Sequence, residues 1–565
     1  MKFSEYSYIR PNYEDVKTTS TQLISALQSA ASAPEALQHL KDIIAIFAEV
    51  ETQSTLCSIR HSVDMEDSFY DQETDFWNEY SPLFGELKTN YYQAVLDSPF
   101  RTALEEALPQ TFFLQAENQL KTFSPDAISL FQEENSLVDQ YSKLIAGAQI
   151  DFQGETYNLS QMIPFNQSTD RSVRQAASAK TSQFYEDNEA AFDKIYDDLV
   201  KVRTKIAHQL GFKDYVEYAY HMMNRFDYNR DMVKSYRQEI LHHVVPVVQE
   251  LRKRQTERLG LKELKYYDLG IEFLDGNATP QGDPEFILHE AQKMYQELSP
   301  ETAEYFNFMV QHELLDLVTK PGKRSGGYCT YLPDFKSPFI FSNFNGTSGD
   351  IDVLTHEAGH AFQVFRSRWV PTPDVVWPTY ETCEIHSMSM EFLTWPWMDR
   401  FFGHQVDKYK YSHLAGTLLF LPYGVLVDHF QHEVYEHPEM TPAERKATWK
   451  RLQDLYLPDR DYSDSDFLSR GGFWFRQSHI FSSPFYYIDY TLAQVCALQF
   501  WKRTQVEADP TAWEDYIRIC DLGGTKTFLQ VVEAANLQSP FKEGALESTI
   551  QSAADYLFAV DDKAL

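Results

Sequence analysis

Residues 347–360 constrain this chain more than any other stretch. Thr347-Ser348-Gly349-Asp350 has the spacing of a capping box, so a helix is expected to begin there and to carry Ile351-Asp352-Val353-Leu354-Thr355-His356-Glu357-Ala358-Gly359-His360. Two histidines four residues apart stand about 40° apart around a helix, so the imidazoles of His356 and His360 can reach one tetrahedral ion. Glu357, between them, points toward water on that ion. A fold built around such a helix must leave this face open to a ligand and bring up a further donor from elsewhere in the chain.

The sequence supplies its own controls. His289-Glu290, His312-Glu313 and His432-Glu433 begin the same way but do not complete the pattern. Lys293 and Asp316 occupy the fourth position after the first two histidines, and His437 lies five residues after His432, about 140° round the helix. These three read as surface or core histidines. For the third ligand, since catalytic zinc usually takes three protein groups and a water, Glu384 is the best candidate. It lies in Tyr380-Glu381-Thr382-Cys383-Glu384-Ile385-His386-Ser387-Met388-Ser389-Met390-Glu391, a second expected helix after the proline-rich turn from Pro371 to Pro378. Glu381, Glu384, Met388 and Glu391 share one face at steps of three and four. An exposed acidic face suits Glu381 better than Glu384, Glu391 suits a place behind a ligand histidine, accepting its free ring N–H, and His386 falls off that face as a structural residue.

Most of the remaining sequence also reads as helix, rich in Ala, Leu, Glu, Gln and Lys with apolar residues three and four apart. Amphipathic stretches such as Ser20 to Ala33 and Leu83 to Leu96 suggest a helical N-terminal lobe over about 1–190, with a catalytic part over 191–565. A polar passage from Phe152 to Asp170 reads as a junction whose last residues can cap the next helix. Asp283-Pro284 supplies a helix N-cap and first-turn proline. Between Pro321 and Thr347, aromatic and β-branched residues bounded by Gly and Pro suggest a small sheet beside the motif helix. A chain of 565 residues is too long for one core.

Asp plus Glu outnumber Lys plus Arg by 83 to 50, a net charge of −33, which opposes binding to nucleic acid or anionic membranes. No window approaches the roughly 18 apolar residues that span a bilayer, and the start Met1-Lys2-Phe3-Ser4-Glu5-Tyr6 lacks the pattern of an export signal. Cys57, Cys329, Cys383, Cys496 and Cys520 are odd in number and widely spaced, which fits a reduced cytoplasm.

His356-Glu357-Ala358-Gly359-His360 followed by Glu384-Ile385-His386-Ser387 resembles the thimet oligopeptidase (M3) family of zinc metallopeptidases, in particular its oligoendopeptidase F and Pz-peptidase branch. Phe341-Ser342-Asn343-Phe344-Asn345-Gly346 and His479 with the tyrosines after it extend the resemblance. It implies a mainly α, two-lobed zincin-type fold with a deep channel and one zinc ion per chain at its floor. It also implies endopeptidase action on short unstructured peptides, collagen-derived ones among them. The strand Phe339 to Asn345, with Phe341 and Asn343, would offer an edge to an extended substrate, and Gly326 and Gly327 would flex near it. His479, Tyr486 and Tyr490 would contact substrate and oxyanion, with Tyr487 as a rival. Ser483 and Pro484 read as N-cap and N1 of their helix, which puts Tyr486 and Tyr490 on one face. Aromatics at such spacing are otherwise usually core. A helical zinc carboxypeptidase, which would need a cation for the substrate's terminal carboxylate, and a weakly active peptide-binding protein remain as alternatives.

Overall fold

Capping side chains stand where the chain begins its helices. In the computed structural model, which describes residues 1–565, Asn12, Ser32 and Asp67 accept backbone N–H groups at the starts of the helices Tyr13–Gln28, Ala33–Val63 and Ser68–Leu96. Asp170 caps Arg171–Asp187, and Asp283 with Pro284 at N1 opens Pro284–Leu298, as the sequence predicts. The passage read as a junction also folds into a hairpin. Strand β1 (Ile150–Phe152) pairs with β2 (Glu155–Tyr157) across Gln153-Gly154, both of which have positive φ.

Two large hydrophobic cores divide the molecule, with small clusters around Ile150 and Leu259 beside them. The smaller gathers residues from Ile24 to Ala116, and Val364, Val370, Val375 and Val376 of the catalytic side join it. The larger takes in nearly everything downstream, including Leu137 and Tyr141 of the helix Ile128–Ala146. The N-terminal helices are therefore packed onto the end of the motif helix, not tethered beside it. No helix is long and apolar enough to cross a membrane.

The small sheet forms as expected but with a different edge. Its order is β3 (Leu315–Val318), β5 (Ser337–Phe344), β4 (Tyr328–Leu332), with β5 parallel to β3 and antiparallel to β4. The strand expected to offer an edge, Phe339 to Asn345, is thus the central strand, and the free edge beside the site belongs to β4. The run Phe339-Ile340-Phe341 is buried on both faces, as a covered central strand requires.

The motif helix runs Gly349–Ser367. Its start is correct but the capping box is not made. The Asp350 carboxylate accepts the N–H groups of Asn345 and Gly346, at 2.9 and 2.8 Å, while Thr347 Oγ1 donates to the Asn345 side chain. This helix crosses the helix Tyr380–Leu393 at Gly359. A Cβ there would lie 2.6 Å from the His386 carbonyl oxygen and 2.7 Å from Ser387 Cα. Only a residue without a side chain lets the two backbones meet at this point.

The tyrosine helix, Tyr487–Trp501, begins later than Ser483-Pro484 predicts. Phe485 takes a left-handed turn at φ +68°, held by its N–H on Gln431 Oε1 at 2.9 Å and its carbonyl on the Arg225 guanidinium at 2.5 Å. Tyr486 is the N-cap, already helical in its own backbone, so Tyr486 and Tyr490 still lie one turn apart on one face, with ring centroids 4.9 Å apart.

Gly359→Ala tests the crossing. Alanine should gain up to about 1 kcal/mol of helix propensity but lose about 1–3 kcal/mol to overpacking. We expect net destabilisation in urea unfolding together with weaker metal uptake, and a variant as stable and as metal-competent as the parent would contradict the account.

Candidate metal centre and cleft

Three ligand-type groups converge where the two helices cross. His356, His360 and Glu384 place one donor atom each within 4.8 Å of one another. Glu384 Oε2 lies 3.2 Å from His356 Nε2 and 3.4 Å from His360 Nε2. Two atoms each roughly 2.0–2.1 Å from a tetrahedral ion stand about 3.3 Å apart, so this spacing fits a shared cation. Proton bookkeeping points the same way. Glu391 Oε1 accepts from His356 Nδ1 at 2.7 Å, which leaves Nε2 as the nitrogen that faces the Glu384 carboxylate. A carboxylate that close to Nε2 in a buried site calls for a positive charge between them, either a metal ion or a second proton on His356.

Glu384 is held at both oxygens. Ser387 Oγ donates to Oε2 at 2.9 Å, and the Tyr486 hydroxyl donates to Oε1 at 2.6 Å. Glu357 is buried and its Oε2 has no partner. Burial pushes its carboxyl above the usual carboxylate range, against the pull of His356 and His360.

The comparisons with known proteins agree with this geometry. Residues 165–550 match the model of peptidase family M3, and residues 3–123 match the peptidase M3 N-terminal domain. The chain belongs to peptidase family M3. Its family is one of metallo-oligopeptidases. A solved structure of PZ peptidase A with an inhibitor is similar at 51% identity and a TM-score of 0.97, over 100% of both chains. A proposed oligoendopeptidase F from Bacillus anthracis is similar at 52% identity and a TM-score of 0.93, over 100% of this chain and 99% of that one. An oligoendopeptidase F homolog of Borreliella burgdorferi is 23% identical over 401 residues, 68% of this chain. The match spans 65% of that relative's length, a little under two thirds.

In this M3 chain the donors sit at the floor of a cavity of about 410 Å³. Gly327, Tyr328 and Cys329, at the start of the free β4 edge, form one wall, and the turn Asp374 to Tyr380 forms another. Met223, Asn224 and Phe226 close it from the larger lobe, and Thr111 and Gln115 reach in from the N-terminal helix Gln110–Thr122. A Cβ on Gly327 would lie 2.8 Å from Val353 Cγ1 and 3.6 Å from Glu357 Oε1, so the loop closes directly over the glutamate. Gly326 has φ +94°.

Of the expected substrate contacts, Gly326, Phe341 and Asn343 do not line this cavity. Phe341 is fully buried with its ring stacked on Tyr328, centroids 4.8 Å apart. Asn343 Nδ2 donates to the carbonyls of Arg324 and Gly326, both at 2.8 Å, and so shapes the glycine loop from behind.

A second cavity of about 450 Å³ adjoins the first and shares His356 and Tyr490 with it. His479 and Tyr487 line this side. The His479 ring centroid is 5.8 Å from Tyr486, 5.0 Å from Tyr487 and 5.8 Å from Tyr490. Gln477 Nε2 donates to His479 Nδ1 at 2.9 Å, with the Gln477 carbonyl taken by the Tyr423 hydroxyl at 2.7 Å. His479 therefore has Nε2–H left to donate. Burial lowers its pKa to about 4, so it is neutral at physiological pH, and burial pushes the Tyr486 and Tyr490 hydroxyls up, so they keep their protons. Neither cavity is lined by any Lys or Arg.

Sequence reasoning gave no site role to Ser387, Thr111, Gln115 or the 374–380 turn. Ser387 alone had a readable signal, three residues beyond Glu384 on the same helix. Glu381 needs correction. It is 1% exposed, not on an exposed face, and its carboxyl has no hydrogen-bond partner. It is buried near Asp489, which accepts from Arg225 Nη2 at 3.0 Å and the Tyr228 hydroxyl at 3.2 Å. His386 is fully buried, and its carbonyl accepts the Tyr516 hydroxyl at 2.8 Å.

Burial, and then the charge of Asp489, raise the Glu381 pKa well above 4.5. The folded protein therefore keeps a proton that the unfolded chain releases as pH rises through 4.5, and this penalises folding at higher pH. Glu381→Gln removes that penalty. Its urea midpoint relative to the parent should rise as pH increases above about 4.5, and a pH-independent difference would contradict the assignment.

Proposed function

We propose that the protein is a cytoplasmic zinc-dependent oligoendopeptidase that hydrolyses internal bonds of short, unstructured peptides, collagen-derived ones among them. The observation that carries this reading is the convergence of His356, His360 and Glu384 at a spacing suited to one tetrahedral ion, with buried Glu357 beside it. Two imidazoles and a carboxylate are a donor set suited to zinc. The five cysteines, all unpaired, fit a reducing compartment.

Zinc held by these three residues would supply Lewis acidity, polarising the scissile carbonyl and acidifying water. Glu357 takes the proton of the attacking water and returns it to the leaving amine nitrogen; burial raises its pKa and so makes it a stronger base for the first of these transfers. His479 Nε2–H and the Tyr490 hydroxyl are the donors left free to meet the oxyanion, a kind of contact that contributes roughly 3–4 kcal/mol in other enzymes. Tyr486, which donates to Glu384, orients that ligand. The free β4 edge at Tyr328–Cys329 can pair with an extended substrate backbone. Glu391, behind His356, fixes its ring.

Both cavities lack a Lys or Arg to receive a C-terminal carboxylate, which favours internal cleavage over carboxypeptidase action. A peptide-binding role without chemistry leaves buried, partnerless Glu357 unexplained. Glu357→Gln should retain zinc, measured by metal analysis, and lose at least about 1,000-fold in kcat. On the parent enzyme, amidating a peptide's C-terminus should leave the cleavage positions unchanged by mass spectrometry. Strict dependence on a free C-terminus would overturn the endopeptidase reading.

A further inference from the structure

The hydrogen bonds behind the metal site continue past Glu391 and end on a group that fixes their direction. Glu391 Oε2, the oxygen not used by His356, accepts from His413 Nε2 at 2.8 Å. His413 lies on the long helix Val406–Glu436, and its other nitrogen, Nδ1, accepts from Trp395 Nε1 at 2.9 Å. Trp395 is 1% exposed, and the side chains of His413 and Glu391 are 6% and 13% exposed, so water does not compete freely for these bonds.

An indole N–H can only donate. Nδ1 of His413 is therefore the unprotonated nitrogen, and its single proton is on Nε2, where it is donated to Glu391. A second proton on His413 would set two N–H groups against each other at the Trp395 contact. With one carboxylate oxygen occupied by His413, the other takes the Nδ1 proton of His356 and turns its Nε2 lone pair to the metal position. The ring of His413 is held in plane by Tyr409, stacked at 5.5 Å and 10°, whose hydroxyl donates to Asp352 Oδ1 at 2.7 Å, one helical turn before His356.

We propose that His413, set by Trp395, is a positioning residue that fixes the tautomer and orientation of His356 through Glu391 and thereby raises zinc affinity. This rests on the metal-centre reading above. It adds a donor 57 residues along the chain from His356, beyond the three ligands and Glu391.

The test is zinc affinity, read by competition with a chromogenic chelator on the full-length protein, with thermal unfolding of the metal-free form as the fold control. In His413→Gln the side-chain amide nitrogen can take the place of Nε2 and still donate to Glu391. In His413→Asn it is too short to reach. We expect His413→Asn to bind zinc roughly 10–100-fold more weakly than the parent and His413→Gln to stay within a few-fold of it. Equal affinity in His413→Asn and the parent, or equal losses in the two variants, would overturn the role of His413 as a donor. A parent protein that takes up no zinc would overturn the metal-centre reading itself.

Discussion

The structure depends on one close approach, where the motif helix and the Tyr380–Leu393 helix meet backbone to backbone at Gly359. With no side chain at that position, the second helix comes near enough for Glu384 to stand within 3.4 Å of both histidine nitrogens. Everything else in the site braces this crossing. The N-terminal lobe packs on the far end of the motif helix through Val364 and Val370, and the tyrosine helix backs the Glu384 helix and sends Tyr486 to its second oxygen. The spacing of the donors is thus a property of two rigid elements, which suits a site that must hold an ion in one geometry.

How far the sequence revealed this follows from how local each feature is. His356, Glu357 and His360 were legible because a shared ion demands particular residue types at i and i+4, and the three incomplete His-Glu pairs showed what chance looks like. Glu384 and Glu391 could be placed on one face of a second helix, but a helical wheel says nothing about what that face meets. Glu381, on the same face, was misread as exposed because the helix Tyr487–Trp501 covers it. The free sheet edge was misassigned for a similar reason, since a run of Phe and Ile reads as a strand whether central or at the margin. Trp395, His413 and Tyr409 were invisible, because nothing in their local pattern marks a contact with residues tens of positions away.

The cleft combines a rigid floor with walls drawn from distant parts of the chain. The β4 edge and the glycine loop come from the sheet, the 374–380 turn from the link between the two crossing helices, and Thr111 and Gln115 from the N-terminal lobe. His479 and Tyr490 face the adjoining cavity on the other side of His356. An extended peptide laid along β4 would therefore meet donors of fixed protonation at the centre and mostly neutral walls to either side.

Zinc K-edge X-ray absorption of the loaded protein tests the central claim most directly. The account predicts nitrogen and oxygen scatterers alone at about 2.0–2.1 Å, with the multiple scattering of two imidazole rings. A sulfur shell near about 2.3 Å would place Cys383 or Cys329 on the metal, and a single imidazole would separate the two histidines. Either result would contradict the arrangement built on Gly359.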